Sequence, residues 1–173
     1  MITGEDRDLF GRGLAQATAA HAGSGEALDA ALDGLGWSDA LGVDRQAAVS
    51  LLFEHQGRAC AVSSALDQVM LTSLDLDPSV TAAVVLPPLG RSDPPGEVVG
   101  EGLVVRGFGT GGLARSKAAV VVAAGGADGP VAVVVDAVDL APRRVSGLDP
   151  ALGLVEVAAD GVRAPARSAA SAP

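Results

Sequence analysis

The chain has 173 residues, which is enough for one domain of ordinary size or two small subdomains that share an interface. Its formal net charge of −9 argues against nucleic-acid binding, which needs lysine and arginine to neutralise phosphates, and against attachment to an anionic membrane. Apolar residues make up 49% of the chain but aromatic residues only 2%, so we expect a core built from small side chains.

The cysteine content and the N-terminus bear on the cellular compartment. The single cysteine, Cys60, excludes an intramolecular disulfide and fits a reducing environment. The stretch MITGEDRDLFGRG lacks the layout of a secretory signal, and no apolar run is long enough to cross a bilayer. These features predict a soluble, cytoplasmic protein that binds neither nucleic acid nor a membrane.

Two helices are predicted at the start of the chain. The first runs from about residue 4 to residue 21. Its apolar residues fall on one side, which we expect to be buried: Leu9, Phe10, Leu14 and Ala17. The second is capped by Ser24 and runs to Leu32, and a compact corner around Trp37 follows it.

The stretch from Asp44 to Leu74 is the longest amphipathic part of the chain, with apolar residues at three- and four-residue steps. Gly57 and the pair Ser63-Ser64 interrupt this pattern, which therefore predicts two helices or one bent helix. Asp44 is expected to cap the first, and Ser63 or Ser64 the second, because their short side chains can accept a hydrogen bond from a free backbone N–H.

Beyond Asp77-Pro78 the pattern changes from helix to strand. Apolar runs alternate with turn-forming residues: TAAVVLP, EVVGEGLVVRG, KAAVVVAA, PVAVVVDAV and GLVEVAADGV. Because no helical insert separates them, we expect an antiparallel sheet or partial barrel. The predicted class is α+β, with a helical domain over residues 1–76, a small antiparallel β-domain over 77–163 and a disordered tail over 164–173.

One glycine motif suggests a nucleotide site at first sight. Residues 107–112, GFGTGG, satisfy the GxGxxG pattern of dinucleotide-binding proteins. That mechanism needs a helix directly after the glycines, and the Val-rich run at Val120 begins too soon to leave room for one. We therefore predict a glycine-rich hairpin here.

The remaining polar residues form no complete catalytic or metal-binding set. His21, His55 and Cys60 do not have the spacing of metal ligands, and no catalytic residues are predicted. Cys60 is expected to be a buried, inert thiol, since it lies near the apolar side of its helix. Glu54 and Asp67 are expected on a solvated helix face.

Two polar segments are compatible with either a ligand-binding or a purely structural role. Arg143 and Arg144 are expected to face solvent at the end of a strand, although the pair would also suit a phosphate or carboxylate. The loop LPPLGRSDPPG, residues 86–96, is stiffened by four prolines and carries Ser92 and Asp93 beside Gly90. It is either a binding loop at the end of a strand or a proline-braced connection without a ligand.

The order of these segments resembles that of the acyl-CoA dehydrogenase family. AVSLLFEHQGRACAVSSALDQVMLTSL is similar to the paired helices that end the family's N-terminal domain, and TAAVVLPPLGRSDPPG falls where its middle β-domain begins. Gly90-Arg91-Ser92-Asp93 resembles the Gly-Ser-Asp element of the family's flavin-contacting loop, with an arginine inserted. VSGLDPALGLVEVAADGV resembles the close of the middle domain. The resemblance implies a contact to FAD at Gly90, Arg91, Ser92 and Asp93.

The chain also departs from the family. Members continue into a C-terminal four-helix bundle that carries the catalytic glutamate, whereas this sequence ends at Pro173. The family's aromatic-Ser/Thr segment beside the flavin ring is not evident around residues 112–116. The resemblance therefore implies a reduced, non-catalytic subunit or partner of a flavoenzyme assembly acting on acyl-CoA thioesters.

In this interpretation FAD binds only in a complex, not to the isolated chain, and the partner is a second copy or another acyl-CoA dehydrogenase-like subunit. One alternative is an FAD-dependent dehydrogenase whose catalytic base comes from another chain. A second is a binding or scaffold module that kept the fold and lost the chemistry.

Overall fold

A computed structural model describes residues 4–77, 82–126, 129–147 and 149–163. Within them four helices come first: α1 Gly4–Ala20, α2 Gly25–Gly34, α3 Trp37–Ala59 and α4 Ala65–Ser73. Seven strands follow: β1 Ala82–Val85, β2 Gly96–Val99, β3 Gly102–Gly109, β4 Ala118–Gly126, β5 Gly129–Asp136, β6 Arg143–Arg144 and β7 Val155–Arg163. The predicted α+β class is confirmed. The domain limits at residues 76 and 77 fall between α4 and β1 and remain predictions, and the tail, 164–173, lies outside the described residues.

The first three helices and the start of α4 enclose one core. Its buried members are small or medium apolar residues around a single large one: Leu14, Ala17, Leu28, Leu32, Trp37, Leu41, Ala48, Leu52, Ala61 and Ala65. The predicted stripe of α1 is correct at Leu14 and Ala17, but Leu9 is 63% exposed because α1 contacts the bundle mainly through its second half.

The helix ends follow the local capping signals. The Ser24 hydroxyl accepts a hydrogen bond from the Ala27 N–H at 3.3 Å, which confirms the predicted cap of α2. Trp37 does not form a separate corner. Gly36 takes a left-handed conformation, with φ of 73°, and α3 begins at the next residue.

The four helices are called here the helical half, and the seven strands with their connections the β-half. The β-half is an open sheet in which β5 and β6 form the two edges. β5 pairs with one side of β4, β3 pairs with β2 and β7, and β6 pairs with β7, all antiparallel. The other side of β4 pairs in parallel with β1, through Ala118–Val121, and with β2, through Ala123 and Ala124. The sheet is therefore mixed: the predicted antiparallel pairing holds for four of the strand pairs but not for the pairs that β4 forms with β1 and β2.

The physical reason for the mixed sheet lies in the connections. The loop after β1 leaves the sheet and returns to it, so that β1 and β2 lie end to end along β4. The antiparallel strand β3 and the connection after it then bring the chain back to begin β4 in the direction of β1. A parallel pair thus forms without a crossover helix. The antiparallel prediction had assumed that parallel strands need such a helix between them.

The glycine motif does not form the predicted hairpin. Gly107 and Gly109 lie within β3, and β3 and β4 are separated by β2 instead of pairing with each other. A Cβ at Gly107 would collide with the Leu86 carbonyl oxygen, and one at Gly109 would lie 2.6 Å from Leu113 Cδ2. These glycines allow close packing of backbone and side chain against β3.

The two halves are joined where α4 packs on the sheet. Leu71 of α4, Val84 of β1 and Val120 of β4 are all at most 1% exposed and form one cluster with Ala132 of β5. This contact places the N-terminal end of α4 beside the connection between β3 and β4.

Candidate functional site

A cleft of about 790 Å³ lies between the helical half and the β-half. Its helical walls are the start of α2, the end of α3 and the connection from α3 to α4. Its β-half walls are residues 110–115, which connect β3 to β4 and are called here the β3–β4 connection, and residues 149–155. The cleft therefore exists only because the two halves are held together.

The lining of the cleft is amphipathic. Phe53, Leu66 and Leu154 are partly buried and offer apolar surface, whereas Arg144 and Glu26 are exposed at its sides. A concave site with an apolar lining and a few polar groups suits a small amphipathic ligand.

Asp67 of α4 is buried behind this cleft, with 4% of its surface exposed. Its Oδ1 accepts a hydrogen bond from the Val84 N–H at 2.9 Å, and its Oδ2 accepts one from the Thr110 hydroxyl at 2.6 Å. Burial raises the pKa of Asp67 to about 6, although both hydrogen bonds act in the opposite direction. The prediction of a solvated helix face is wrong at this residue, because that side of α4 packs on the sheet.

Thr110 and Gly112 form the cleft wall in front of Asp67. Thr110 Oγ1 donates to Asp67 and accepts a hydrogen bond from the Gly112 N–H at 3.1 Å. A Cβ at Gly112 would lie 2.8 Å from Ser64 Cβ and 3.1 Å from Asp67 Oδ2. Only a glycine fits this approach without displacing α4 from the wall.

A second polar bridge crosses the cleft boundary. Arg115 Nη2 donates to Asp29 Oδ2 at 2.8 Å, and Asp29 Oδ1 accepts from the Ser64 N–H at 2.7 Å. Burial raises the pKa of Asp29, and this effect outweighs the Ser64 hydrogen bond and the charge of Arg115, which lower it. The bridge ties α2 to the start of α4 and to the β3–β4 connection.

The predicted cap at the start of α4 is confirmed at Ser63. Its hydroxyl accepts a hydrogen bond from the Ala65 N–H at 3.2 Å and one from the Gln56 side-chain amide. Ser64 occupies the cap position but makes no side-chain capping bond. All three polar residues, Gln56, Ser63 and Ser64, line the cleft.

Cys60 also lines the cleft and is exposed, so the prediction of a buried thiol is wrong. The reason is local. α3 ends at Ala59, and Cys60, which caps it, takes a left-handed conformation with φ of 50° and donates its N–H to the Gln56 carbonyl. The helical periodicity that predicted burial does not continue past this residue.

The arginine pair lies where the strand pattern placed it, at an exposed position on β6. Arg143 donates to Glu156 Oε2 at 2.7 Å. Arg144 is the member of the pair that lines the cleft. Neighbouring residues of a strand point to opposite faces. A variant of Arg143 can therefore serve as the control for a variant of the cleft-lining Arg144.

The residues assigned to flavin contact do not line the cleft. Gly90, Arg91, Ser92 and Asp93 are all exposed, in the loop between β1 and β2. Arg91 donates to Asp93 Oδ2 from Nε at 3.2 Å and from Nη2 at 2.9 Å. The loop thus presents an internal ion pair to solvent, and flavin contact by these residues remains a prediction.

Sequence reasoning missed Asp29, Thr110 and Arg115. Asp29 and Arg115 are 86 residues apart, and no local pattern joins them. One signal was available for Asp67: it lies in an apolar stretch of α4, between Leu66 and Val69, where an aspartate needs a polar partner if that face is buried.

No model of a known protein family matches the chain, and no curated protein matches its sequence. Its fold, however, matches solved structures. The Tcur3481–Tcur3483 steroid ACAD matches with a TM-score of 0.66 and 21% identity, over 93% of this chain and 56% of that one. The ChsE4–ChsE5 complex from Mycobacterium tuberculosis matches with a TM-score of 0.63 and 17% identity, over 95% and 56%.

A putative acyl-CoA dehydrogenase from Mycobacterium smegmatis matches with a TM-score of 0.59 and 18% identity, over 95% of this chain and 57% of that one. The described halves therefore share the fold of solved acyl-CoA dehydrogenases. The chain spans little more than half the length of these relatives. No helix in the described ranges has both the length and the apolar character needed to cross a membrane.

Proposed function

We propose that the chain is part of an acyl-CoA dehydrogenase-like assembly, in which its cleft holds an acyl-CoA thioester and the catalytic base lies on another segment or chain. The observation that carries this proposal is the amphipathic cleft at the junction of two halves whose fold is that of acyl-CoA dehydrogenases. Phe53 and Leu66 suit the acyl chain, and Arg144 suits an anionic group of the coenzyme.

The carboxylates along the cleft support a non-catalytic role for this chain. In the described residues the cleft is lined by Glu26, Asp29 and Asp149. Glu26 and Asp149 are exposed, and Asp29 is engaged by Arg115 and Ser64. A general base for this step works in a closed pocket from which water is excluded and has an oxygen free to take the proton. The chain's own residues therefore bind and orient the ligand, and the proton acceptor comes from elsewhere in the assembly.

Asp67 is also a poor candidate for the base. Its raised pKa would suit proton transfer. Its two oxygens, however, accept hydrogen bonds from Val84 and Thr110, and it does not line the cleft.

The flavin belongs to the assembly in this proposal. When bound, it supplies the hydride acceptor for α,β-dehydrogenation of the thioester. The loop with Arg91, Ser92 and Asp93 would offer it polar groups from the β-half. Because these residues lie outside the cleft, we assign no step of the reaction to them.

A protein partner is the second part of the proposal. Two of the structural matches carry the names of two polypeptides each, Tcur3481–Tcur3483 and ChsE4–ChsE5. We propose a second acyl-CoA dehydrogenase-like subunit as the partner of this chain. In the alternative, this chain and its partner build one active site together, and the mixture oxidises acyl-CoA although neither chain does so alone.

The test is calorimetric titration of the purified chain with octanoyl-CoA and with coenzyme A. Arg144→Gln is expected to weaken octanoyl-CoA binding about tenfold, the size of one lost charge-assisted hydrogen bond. Arg143→Gln, on the same strand but outside the cleft, is the control and should bind like the original chain. Equal affinities for all three proteins, or no binding of octanoyl-CoA, would refute the proposed site.

A further inference from the structure

Asp67 fastens the helical half to two separate parts of the β-half. One of its oxygens binds the Val84 N–H of β1 at 2.9 Å, and the other binds the Thr110 hydroxyl of the β3–β4 connection at 2.6 Å. The side chain is 4% exposed and lies beside the apolar cluster of Leu71 and Val84. The two hydrogen bonds stabilise the charged carboxylate in this position, whereas its removal from water destabilises the charged form.

The charged groups around Asp67 come from two other elements. Burial is the largest influence and raises its pKa, and the hydrogen bonds from Thr110 and Val84 lower it. Asp29 of α2 raises it further, and Arg115 of the β3–β4 connection lowers it. With a pKa of about 6, the side chain changes its charge close to neutral pH.

We infer that Asp67 is a proton-operated latch, whose deprotonation loosens the contact between α4 and the cleft wall of Thr110 and Gly112. In the protonated side chain Oδ1 still accepts from the Val84 N–H, and the proton on Oδ2 is donated to Thr110 Oγ1 when the Thr110 hydroxyl hydrogen turns away from it. The ionised side chain gains solvation only when water reaches it, which requires the wall to separate from α4. The inference holds whether or not the cleft binds acyl-CoA.

The direction of the pH effect follows from linkage. The pKa of Asp67 is about 6 in the folded chain, against 3.8 for an ordinary aspartate. The folded state therefore holds its proton more tightly than the opened state. Stabilisation by this proton is complete below about pH 4 and is lost as the pH rises towards 6. The latch is closed in mild acid and weakened above neutrality.

The experiment is amide hydrogen exchange of the full chain at several pH values, corrected for the intrinsic exchange rate. The N–H groups of Val84 and Gly112 report on the two sides of the latch. Between about pH 5 and pH 7.5 their protection is expected to fall about tenfold, from the difference between the two pKa values. Asp67→Asn should remove this dependence, because an amide does not titrate. Asp8→Asn, at an exposed position of α1, should leave it unchanged.

A second pair of variants tests the same inference without altering the carboxylate. Thr110→Val removes the hydroxyl that stabilises the charged form, so the midpoint of the exchange profile of the Val84 N–H should move upward by about one pH unit. The Gly112 N–H is not used for this variant, because its acceptor is the Thr110 hydroxyl. Thr110→Ser keeps the hydroxyl and should restore the original profile. If Asp67→Asn does not fold, this pair decides the question. A profile that stays the same in Asp67→Asn, or that Thr110→Val leaves in place, would overturn the latch. No ligand is needed, so the outcome is independent of the proposed function.

Discussion

Gly112 shows how one residue without a side chain decides the shape of the cleft. It lies on the β3–β4 connection, where the wall approaches the start of α4 most closely. A Cβ would meet Ser64 Cβ at 2.8 Å and Thr110 Oγ1 at 3.0 Å, both closer than ordinary contacts allow. Neither neighbour has a long side chain that can swing away, so a larger residue must move the backbone.

We therefore expect Gly112→Ala to destabilise the chain by about 1 to 3 kcal/mol, the usual cost of overpacking a closed contact. Gly42→Ala is the control. Gly42 lies in α3 with nothing within 4 Å of an added Cβ, and the change should stabilise the helix by up to about 1 kcal/mol. Urea unfolding of both variants measures the difference. Equal effects of the two substitutions would contradict the close contact at Gly112.

Helix α3 is bent at Asp44, which caps the second of its two segments. Asp44 has non-helical φ and ψ of −154° and 79°, so the helix consists of two segments that meet there. Its Oδ1 accepts a hydrogen bond from the Ala47 N–H at 3.2 Å, as the sequence predicted for the start of this stretch. The first segment buries Trp37 and Leu41, and the second buries Leu52. The bend lets both segments reach one core.

Removing this cap should cost stability without changing the fold. Asp44→Ala is expected to lower the free energy of unfolding by about 1 kcal/mol, since the second segment loses the acceptor for one of its first N–H groups. Gln46→Ala, at an exposed position two residues later, should have an effect near zero. Thermal and urea unfolding monitored by circular dichroism provide the comparison. A loss as large in Gln46→Ala would show that the Asp44 side chain is not the cause.

At the scale of the whole molecule, the cleft depends on how the two halves are joined, and three kinds of contact stand out among the residues that the structure describes. These are the apolar packing of α4 on the sheet, the hydrogen bonds of Asp67, and the bridge between Asp29 and Arg115. Arg115 is 43% exposed and Asp29 20%, so solvent screens the bridge and it contributes little to the attachment. The apolar packing of Leu71 on Val84 and Val120 is almost completely shielded from solvent.

The proposed function predicts how the whole chain behaves when it is purified alone. It should show no stoichiometric flavin absorbance, because the residues predicted to contact the flavin lie on an exposed loop outside the cleft. It should also oxidise no acyl-CoA with an artificial electron acceptor, because its cleft-lining carboxylates are exposed or paired. Co-expression with a longer homologue is expected to yield a complex, and activity confined to that mixture would favour the dehydrogenase alternative. A flavin-loaded, active preparation of this chain by itself is incompatible with the non-catalytic role.

The sequence by itself determined the features that depend on neighbouring residues. The caps at Ser24, Asp44 and Ser63 were predictable because a side chain and the N–H that it binds are two or three residues apart. The runs of valine and alanine after Pro78 likewise indicated strands, because alternation and β-propensity are properties of short segments. Together these local signals were sufficient for the α+β class.

Only the tertiary structure decided which segments meet. The parallel pairing of β1 and β2 with β4 depends on the path of the loops, and the burial of Asp67 depends on where α4 docks. Arg115 pairs with Asp29, which lies 86 residues earlier in the chain. Cys60 lines the cleft because α3 ends just before it. Propensity and periodicity act over a few residues, whereas pairing, burial and charge contacts are set by the free energy of the whole folded chain.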